Sequence, residues 1–218
     1  MSRAQKTIGV LIPLALLLAL VVWTFLFLIR YPPTVEAATT PGASGDVNVT
    51  MQTVGSIGTG NHPTWVSYLI KRSDGVWVHT TVLQVPAHTT VHVTIYQYDS
   101  GSALRNPVMN QVLGAPDAEL DGQPYSLWTD TIGHTFTVPE LGISVPLPGI
   151  ASTASNPCSV APCGPSYDHH TVTFSFKTGG AGTYTWQCFV PCGLGYLAGF
   201  GGPMSTFGYM NGVLKVVA

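Results

Sequence analysis

Thr90-Val-His-Val-Thr-Ile-Tyr-Gln-Tyr98 alternates apolar and polar residues without a break, and it decides the reading of this chain. Period two places every second side chain on one face, as a half-buried strand requires. Asp46-Val-Asn-Val-Thr-Met-Gln-Thr-Val54 and Gly75-Val-Trp-Val-His-Thr-Thr-Val-Leu-Gln-Val85 show the same alternation. Further strands are expected at Thr135–Val138, Thr171–Phe176, Gly182–Gln187 and Val213–Val217. Gly, Pro, Asn and Asp separate these runs, and nothing after the first thirty residues keeps an apolar helical period over ten residues. Short strands at such spacing build a β-sandwich or barrel.

The composition agrees. The 218 residues include 24 Gly and 17 Pro, which excludes a helical bundle, and only 8% are charged against roughly 25% in an ordinary domain. An apolar share of 45% excludes a disordered chain, and a net charge of −2 gives no footprint for nucleic acid. No G-x-S-x-G, H-E-x-x-H or phosphate-binding glycine loop occurs, so no hydrolase or nucleotide site is read.

Gly9 to Ile29, GVLIPLALLLALVVWTFLFLI, carries no charge. About 20 apolar residues span a bilayer core, so this stretch is expected to cross a membrane. Arg3 and Lys6 precede it, and positive residues stay inside. The N-terminus is therefore expected in the cytoplasm and the main domain outside, in an extracytoplasmic (periplasmic-type) setting. A cleaved signal peptide ending near Val35-Glu36-Ala37 is the rival reading; its apolar core would ordinarily be only about 7–15 residues. The chain divides into a cytoplasmic end and anchor (1–30), a linker (31–45) and an outer domain (46–218). Residues 31–218 hold five basic residues against all ten acids, a balance of −5. That suits a basic partner and equally a plain solvated surface. Outside the membrane, disulfides are possible.

His79, His88 and His92 lie in or beside strands and read as structural. Asn48-Val-Thr50 fits a glycosylation sequon. The densest chemistry is late. Cys188-Phe-Val-Pro-Cys192 is a tight Pro-containing loop after a strand, and Met204 and Met210 follow it. Upstream, His134 sits at a strand entrance, before a Pro-rich turn ending Leu147-Pro-Gly149. Thiolates and thioethers suit soft metals, copper among them. The plainer reading is a disulfide between Cys188 and Cys192, and another between Cys158 and Cys163; four cysteines allow three pairings. Methionine also fills gaps in cores.

The patterns G-H-x-F-x-V-P-x-L-G from Gly133, G-x-Y-x-W-x-C-x-x-x-C-G-L-G from Gly182 and M-x-G-x-L-x-V-V from Met210 resemble the cupredoxin domain of cytochrome c oxidase subunit II. The single N-terminal helix resembles the one-helix form of that subunit. The resemblance implies an all-β, cupredoxin-like Greek-key β-sandwich with one N-terminal transmembrane helix. It implies copper, one or two ions, held by His134, Cys188, the Val190 carbonyl, Cys192 and Met210. It also implies an electron-transport role in a respiratory chain. The partners would be a haem-copper oxidase catalytic subunit, a cytochrome or cupredoxin donor and the lipid bilayer; the chain itself would be at most a non-catalytic electron-transfer subunit.

The chain departs from the family at one ligand. The second imidazole expected four residues past Cys192 is Tyr196, and three before Met210 stands Phe207; no His follows His170. An apparent insertion, Leu197 to Thr206, contains Met204. Met204, Tyr196 or the distant His169 and His170 are the candidate substitutes, and a mononuclear site with one of these histidines is the other arrangement. Three functions therefore compete: copper electron transfer to a terminal oxidase, a copper-free structural or assembly subunit of a quinol-type oxidase, and a Cu(I)-binding delivery protein.

Overall fold

The computed structural model describes residues 3–27, 45–59, 62–79, 82–101, 107–125, 132–192 and 202–218. Its chain forms two compact units, Met1–Tyr31 and Pro32–Ala218.

The first unit is helix α1, Arg3–Phe27, which carries Pro13 and is rich in Leu and Ala. Both are strong helix formers. Thr24 turns its hydroxyl back to the Leu20 carbonyl at 2.8 Å. Leu11, Leu14, Leu16, Leu17, Leu18 and Leu20 are all more than half exposed. Among the described residues, no helix is long and apolar enough to cross a membrane. The expected span Gly9–Ile29 is thus corrected to a helix that starts earlier and takes in Arg3 and Lys6, while Leu28 and Ile29 lie outside the described residues.

The second unit is all-β. In chain order its strands are β1 Val47–Val54, β2 Ser67–Lys71, β3 Trp77–His79, β4 Val82–Pro86, β5 Thr90–Gln97, β6 Glu119–Leu120, β7 Gln123–Pro124, β8 Ile132–Val138, β9 Ile143–Pro148, β10 His170–Lys177, β11 Gly182–Gln187 and β12 Asn211–Val217. One short helical turn, α2 at Gly202–Ser205, precedes β12. Two sheets form, in the orders β3-β2-β1-β5-β10-β6-β7 and β4-β12-β11-β8-β9.

The alternation read from sequence is what joins the sheets. Val91, Val93 and Ile95 of β5 point inward beside Val172, Phe174 and Phe176 of β10, with Val93 opposite Phe174. Val47, Val49 and Met51 of β1 add to that layer in parallel register, Val49 beside Val93. From the second sheet come Leu83, Val85, Phe136, Val145, Leu147, Leu214 and Val216, all buried. Trp186 is fully buried in this core, 5.3 Å from Tyr68 edge-on. Every residue of β8 is buried, so its polar members must find partners inside.

Two expectations change. The run Gly75–Val85 is not one strand: β3 pairs with β2 in one sheet and β4 with β12 in the other, so the chain changes sheet between them. The Pro-rich stretch before Gly149 is not a turn but strand β9, paired with β8 at the edge of its sheet. An edge strand has one side without ladder partners, which is where Pro146 and Pro148 are tolerated.

A small separate cluster joins Val54, Tyr98, Cys158 and Cys163, and the last two form a disulfide. Cys163 N–H donates to the buried Gln52 Oε1 at 2.7 Å, tying the loop to β1. His79 stacks edge-on against Tyr209 at 4.7 Å, and His92 pairs with Ser175 at 2.8 Å. Closing so short a loop removes little unfolded-chain entropy, on the order of 2 kcal/mol. Cys158→Ser should therefore lower the unfolding free energy by about 2 kcal/mol in denaturant titration. It should leave the number of alkylatable thiols at Cys188 and Cys192 unchanged.

Candidate metal centre

Strand β8 has a register shift between Ile132 and His134, which leaves Gly133 out of the ladder. An irregularity of this kind re-aims the next side chain. It delivers His134 to the end of β11, where the chain leaves the sheet at Cys188. Cys188 N–H donates to the Met210 carbonyl at 2.8 Å, so the start of the loop is held by the entry to β12. Phe189 N–H donates to Thr135 Oγ1 at 2.9 Å, which ties the loop to β8 as well.

The result is a buried triad. His134 Nδ1 lies 3.0 Å from Cys192 Sγ and 3.8 Å from Cys188 Sγ, and the two sulfurs are 3.0 Å apart. Both cysteines are free thiols, so the Cys188–Cys192 disulfide is not formed. The three donor atoms lie within 4.8 Å of one another; among the described residues no other set of three His, Cys, Asp or Glu meets that condition. The Val190 carbonyl stands 3.4 Å from Cys188 Sγ and 3.0 Å from Cys192 Sγ. Thr135 N–H points at Cys188 Sγ at 3.4 Å.

Two methionines lie beside the loop. Met204 Sδ accepts the Cys192 N–H at 3.3 Å, which puts its thioether against the loop. Asn211 Nδ2 and Gln187 Nε2 both donate to the Met204 carbonyl and fix turn α2 there. Met210 is fully buried in the same core as Cys188 and Cys192, and its N–H donates to the Pro203 carbonyl at 2.9 Å. Phe207 is 37% exposed, and Tyr196 lies outside the described residues. The idea that His169 or His170 supplies an imidazole is corrected. His169 packs against Tyr98 at 5.0 Å and donates Nδ1–H to the Tyr167 carbonyl; His170 Nδ1 meets Asp121 at 2.8 Å. Both are committed to neighbours outside the triad.

Sequence reading missed the groups behind the triad. Asp99 Oδ2 lies 2.9 Å from His134 Nε2. Tyr68 donates its hydroxyl to the Thr135 carbonyl at 3.0 Å. Asp99 ends an alternating run and reads only as a turn residue; nothing in sequence ties it to a histidine 35 positions away.

Charge in this pocket is shared out by proximity. Burial opposes the imidazolium, but Asp99 and then Cys188 overcome it and raise His134 to about 9. Burial would also raise the Cys188 thiol; hydrogen bonds from Cys192 and His134 reverse this and hold it well below its ordinary value. Its hydrogen bond to Cys188, followed by burial, pushes the Cys192 thiol up. The sulfur pair thus keeps one proton, on Cys192. Burial, then Cys188 and Cys192, raise the Tyr68 phenol. Two sulfurs and an imidazole around one point form a soft donor set, and the Asp99 carboxylate behind the imidazole adds negative charge. Such a set fits copper: thiolate and thioether sulfur suit Cu(I), and imidazole suits copper in either state.

No protein-family model and no curated relative matches the chain. Solved structures similar to it include rusticyanin from Thiobacillus ferrooxidans (TM-score 0.38, 17% identity, 86% of each chain covered). A second is the copper protein rusticyanin in another determination (TM-score 0.37, 17% identity, 82% of this chain and 88% of that one). A third is a chain of a haem-copper terminal oxidase dimer (TM-score 0.34, 15% identity, 99% of this chain and 100% of that one). Likenesses of this size carry no weight for function, and the chemistry below rests on the triad itself.

The proton distribution predicts a pH profile for the metal-free protein. Below about 6.5, folding removes a proton from Cys188 and keeps His79, lowered to about 4 by burial, neutral; the unfolded chain binds more protons and stability rises with pH. Between about 6.5 and 9 the folded His134 holds a proton that the unfolded imidazole has lost, which cancels the Cys188 contribution. Above about 9 the folded Cys192 keeps a proton that the unfolded thiol gives up, and stability falls. Denaturation midpoints measured across this range should rise, level and then drop; a steady decline from pH 5 would contradict the assignment.

Proposed function

We propose that this chain is a membrane-anchored cupredoxin-type protein of the cytochrome c oxidase subunit II kind. Its late loop would hold copper and pass electrons to a terminal haem-copper oxidase. One observation carries the reading: His134 Nδ1, Cys188 Sγ and Cys192 Sγ converge, buried, within 4.8 Å. His134, Cys188 and Cys192 would hold the metal, with the Val190 carbonyl and a methionine sulfur of Met204 or Met210 as weaker donors. Copper bound there supplies one-electron exchange. The protein's part is to keep water out and to hold the donors still. Cys188 is held by its N–H bond to the Met210 carbonyl, Cys192 by its N–H bond to Met204 Sδ, and Thr135 by the Tyr68 hydroxyl.

Anchoring rests on the sequence, where Gly9 to Ile29 runs without a charge over about the length a bilayer core requires. The exposed leucines within it are an apolar surface that water disfavours. The positive-inside bias of Arg3 and Lys6 orients the main domain outward. The domain division 1–30, 31–45 and 46–218 follows from that placement.

One observation favours a second reading. Among the described residues the site has a single imidazole beside two thiols and the Met204 thioether, a sulfur-rich set that suits Cu(I) storage or delivery. Reversible oxidation separates the two readings: a carrier cycles at a fixed potential and a delivery protein releases its ion to an acceptor.

Copper titration of the full chain should give intense visible thiolate–copper absorption, abolished by Cys188→Ser. Ligands must be deprotonated, so loading should release about two protons near neutral pH, one from His134 and one from the sulfur pair. A colourless protein, one that prefers zinc, or one with Cys188 joined to Cys192 would contradict the proposal.

A further inference from the structure

Asp99 is neither a sulfur nor an imidazole, yet the fold is built to put it where it is. It lies two residues past β5, in a bend Asp99-Ser-Gly101 that is clamped between two glycines. A Cβ on Gly149 would stand 1.9 Å from Gly101 N and 2.5 Å from the Ser100 carbonyl carbon. A Cβ on Gly133 would stand 2.9 Å from the Ser100 carbonyl oxygen. Neither contact is possible for a real side chain, so the bend fits only because both positions are glycine. Ile150 N–H donates to the Asp99 carbonyl at 3.0 Å, and Ser100 pairs with Ile150. On its own side chain, Asp99 Oδ1 accepts the Ser100 N–H at 2.8 Å. That leaves Oδ2 to accept from His134 Nε2, at 2.9 Å.

Gly133 serves both ends of this contact. It is the residue left out of the β8 ladder just before His134, and it is also one jaw of the clamp on Ser100. The imidazole and its carboxylate are therefore set by one backbone irregularity. His134 is almost wholly buried, with 4% of its side chain exposed, while Asp99 keeps 25%. The carboxylate stands between the pocket and the surface.

We propose that Asp99 is the positioning residue of the centre: it accepts the proton on His134 Nε2, turns Nδ1 toward the two sulfurs, and adds a fixed negative charge behind the metal ligand. A carboxylate behind a metal-bound histidine fixes the tautomer and raises its basicity. Here it acts on the only imidazole the described site possesses, so the orientation of one ring decides the nitrogen ligand. The charge favours the more positive, oxidised metal over the reduced one. The inference rests on the copper reading above and deepens it.

The test compares the full chain with Asp99→Asn and Asp99→Ala. Asparagine keeps the volume but removes the charge, and its one oxygen cannot serve both Ser100 N–H and His134 Nε2–H. Copper affinity is read by chelator competition, the reduction potential by redox titration, and the ligand field by visible and electron paramagnetic resonance spectra. We expect the affinity of Asp99→Ala to fall about 10–100-fold. The potential should move upward in both variants, and the copper spectrum should change. A merely structural Asp99 would alter unfolding midpoints and leave potential and spectrum as in the wild type. If Asp99→Ala does not fold, the potential of Asp99→Asn decides: an unchanged value overturns the proposal. A wild-type chain that takes up no copper removes the functional reading and this inference with it; a wild-type chain that binds while both variants match it removes this inference alone.

Discussion

A single imidazole, buried between a carboxylate on one side and two sulfurs on the other, is the constraint on which the site depends. None of these groups is stable there alone. A buried thiolate or carboxylate without a partner would take up a proton, and a buried imidazolium would lose one. Together they share charge, and the pocket persists as a dry, polar point inside a sandwich that is otherwise aliphatic and aromatic. The surrounding core holds the arrangement still. Tyr68 packs edge-on against both Trp186 and Phe136 in the same core, and it donates its hydroxyl to the Thr135 carbonyl, whose residue's N–H faces Cys188.

The two sheets divide the work. The seven-stranded sheet supplies Asp99 from the bend two residues past β5 and Tyr68 from β2. The five-stranded sheet supplies His134 from β8, Cys188 from the end of β11 and Met210 from the entry to β12. The site is thus assembled across the sandwich, and a shift of either sheet would separate the carboxylate from its imidazole. The disulfide Cys158–Cys163 belongs to a different cluster, beside Val54 and Tyr98, and secures a loop outside the triad.

Much of this was legible in the sequence, and particular residues explain what was not. β1, β5, β10, β11 and β12 were visible because period two is written into them; in β5 and β10 it follows one buried and one more open face, while the last four residues of β1 are all buried. β8 was seen only from Thr135 onward, because a strand buried throughout has no alternation and Gly133 interrupts it. β9 was hidden by its prolines, which sequence reads as a turn and an edge strand accepts. The long run ending at Val85 hid a change of sheet, because both halves alternate equally well. In the site, His134, Cys188 and Cys192 were readable from their spacing in known patterns. Asp99 was not, because its meaning lies in a contact across the sandwich with no local signature.

The central claim is that one metal ion's worth of soft donors meets at a single buried point. Anomalous diffraction at the copper edge, on crystals of the copper-loaded chain, tests it most directly. The account predicts a peak within bonding distance of His134 Nδ1, Cys188 Sγ and Cys192 Sγ together. A peak elsewhere on the protein, or continuous density joining the two sulfurs with no metal between them, would contradict it.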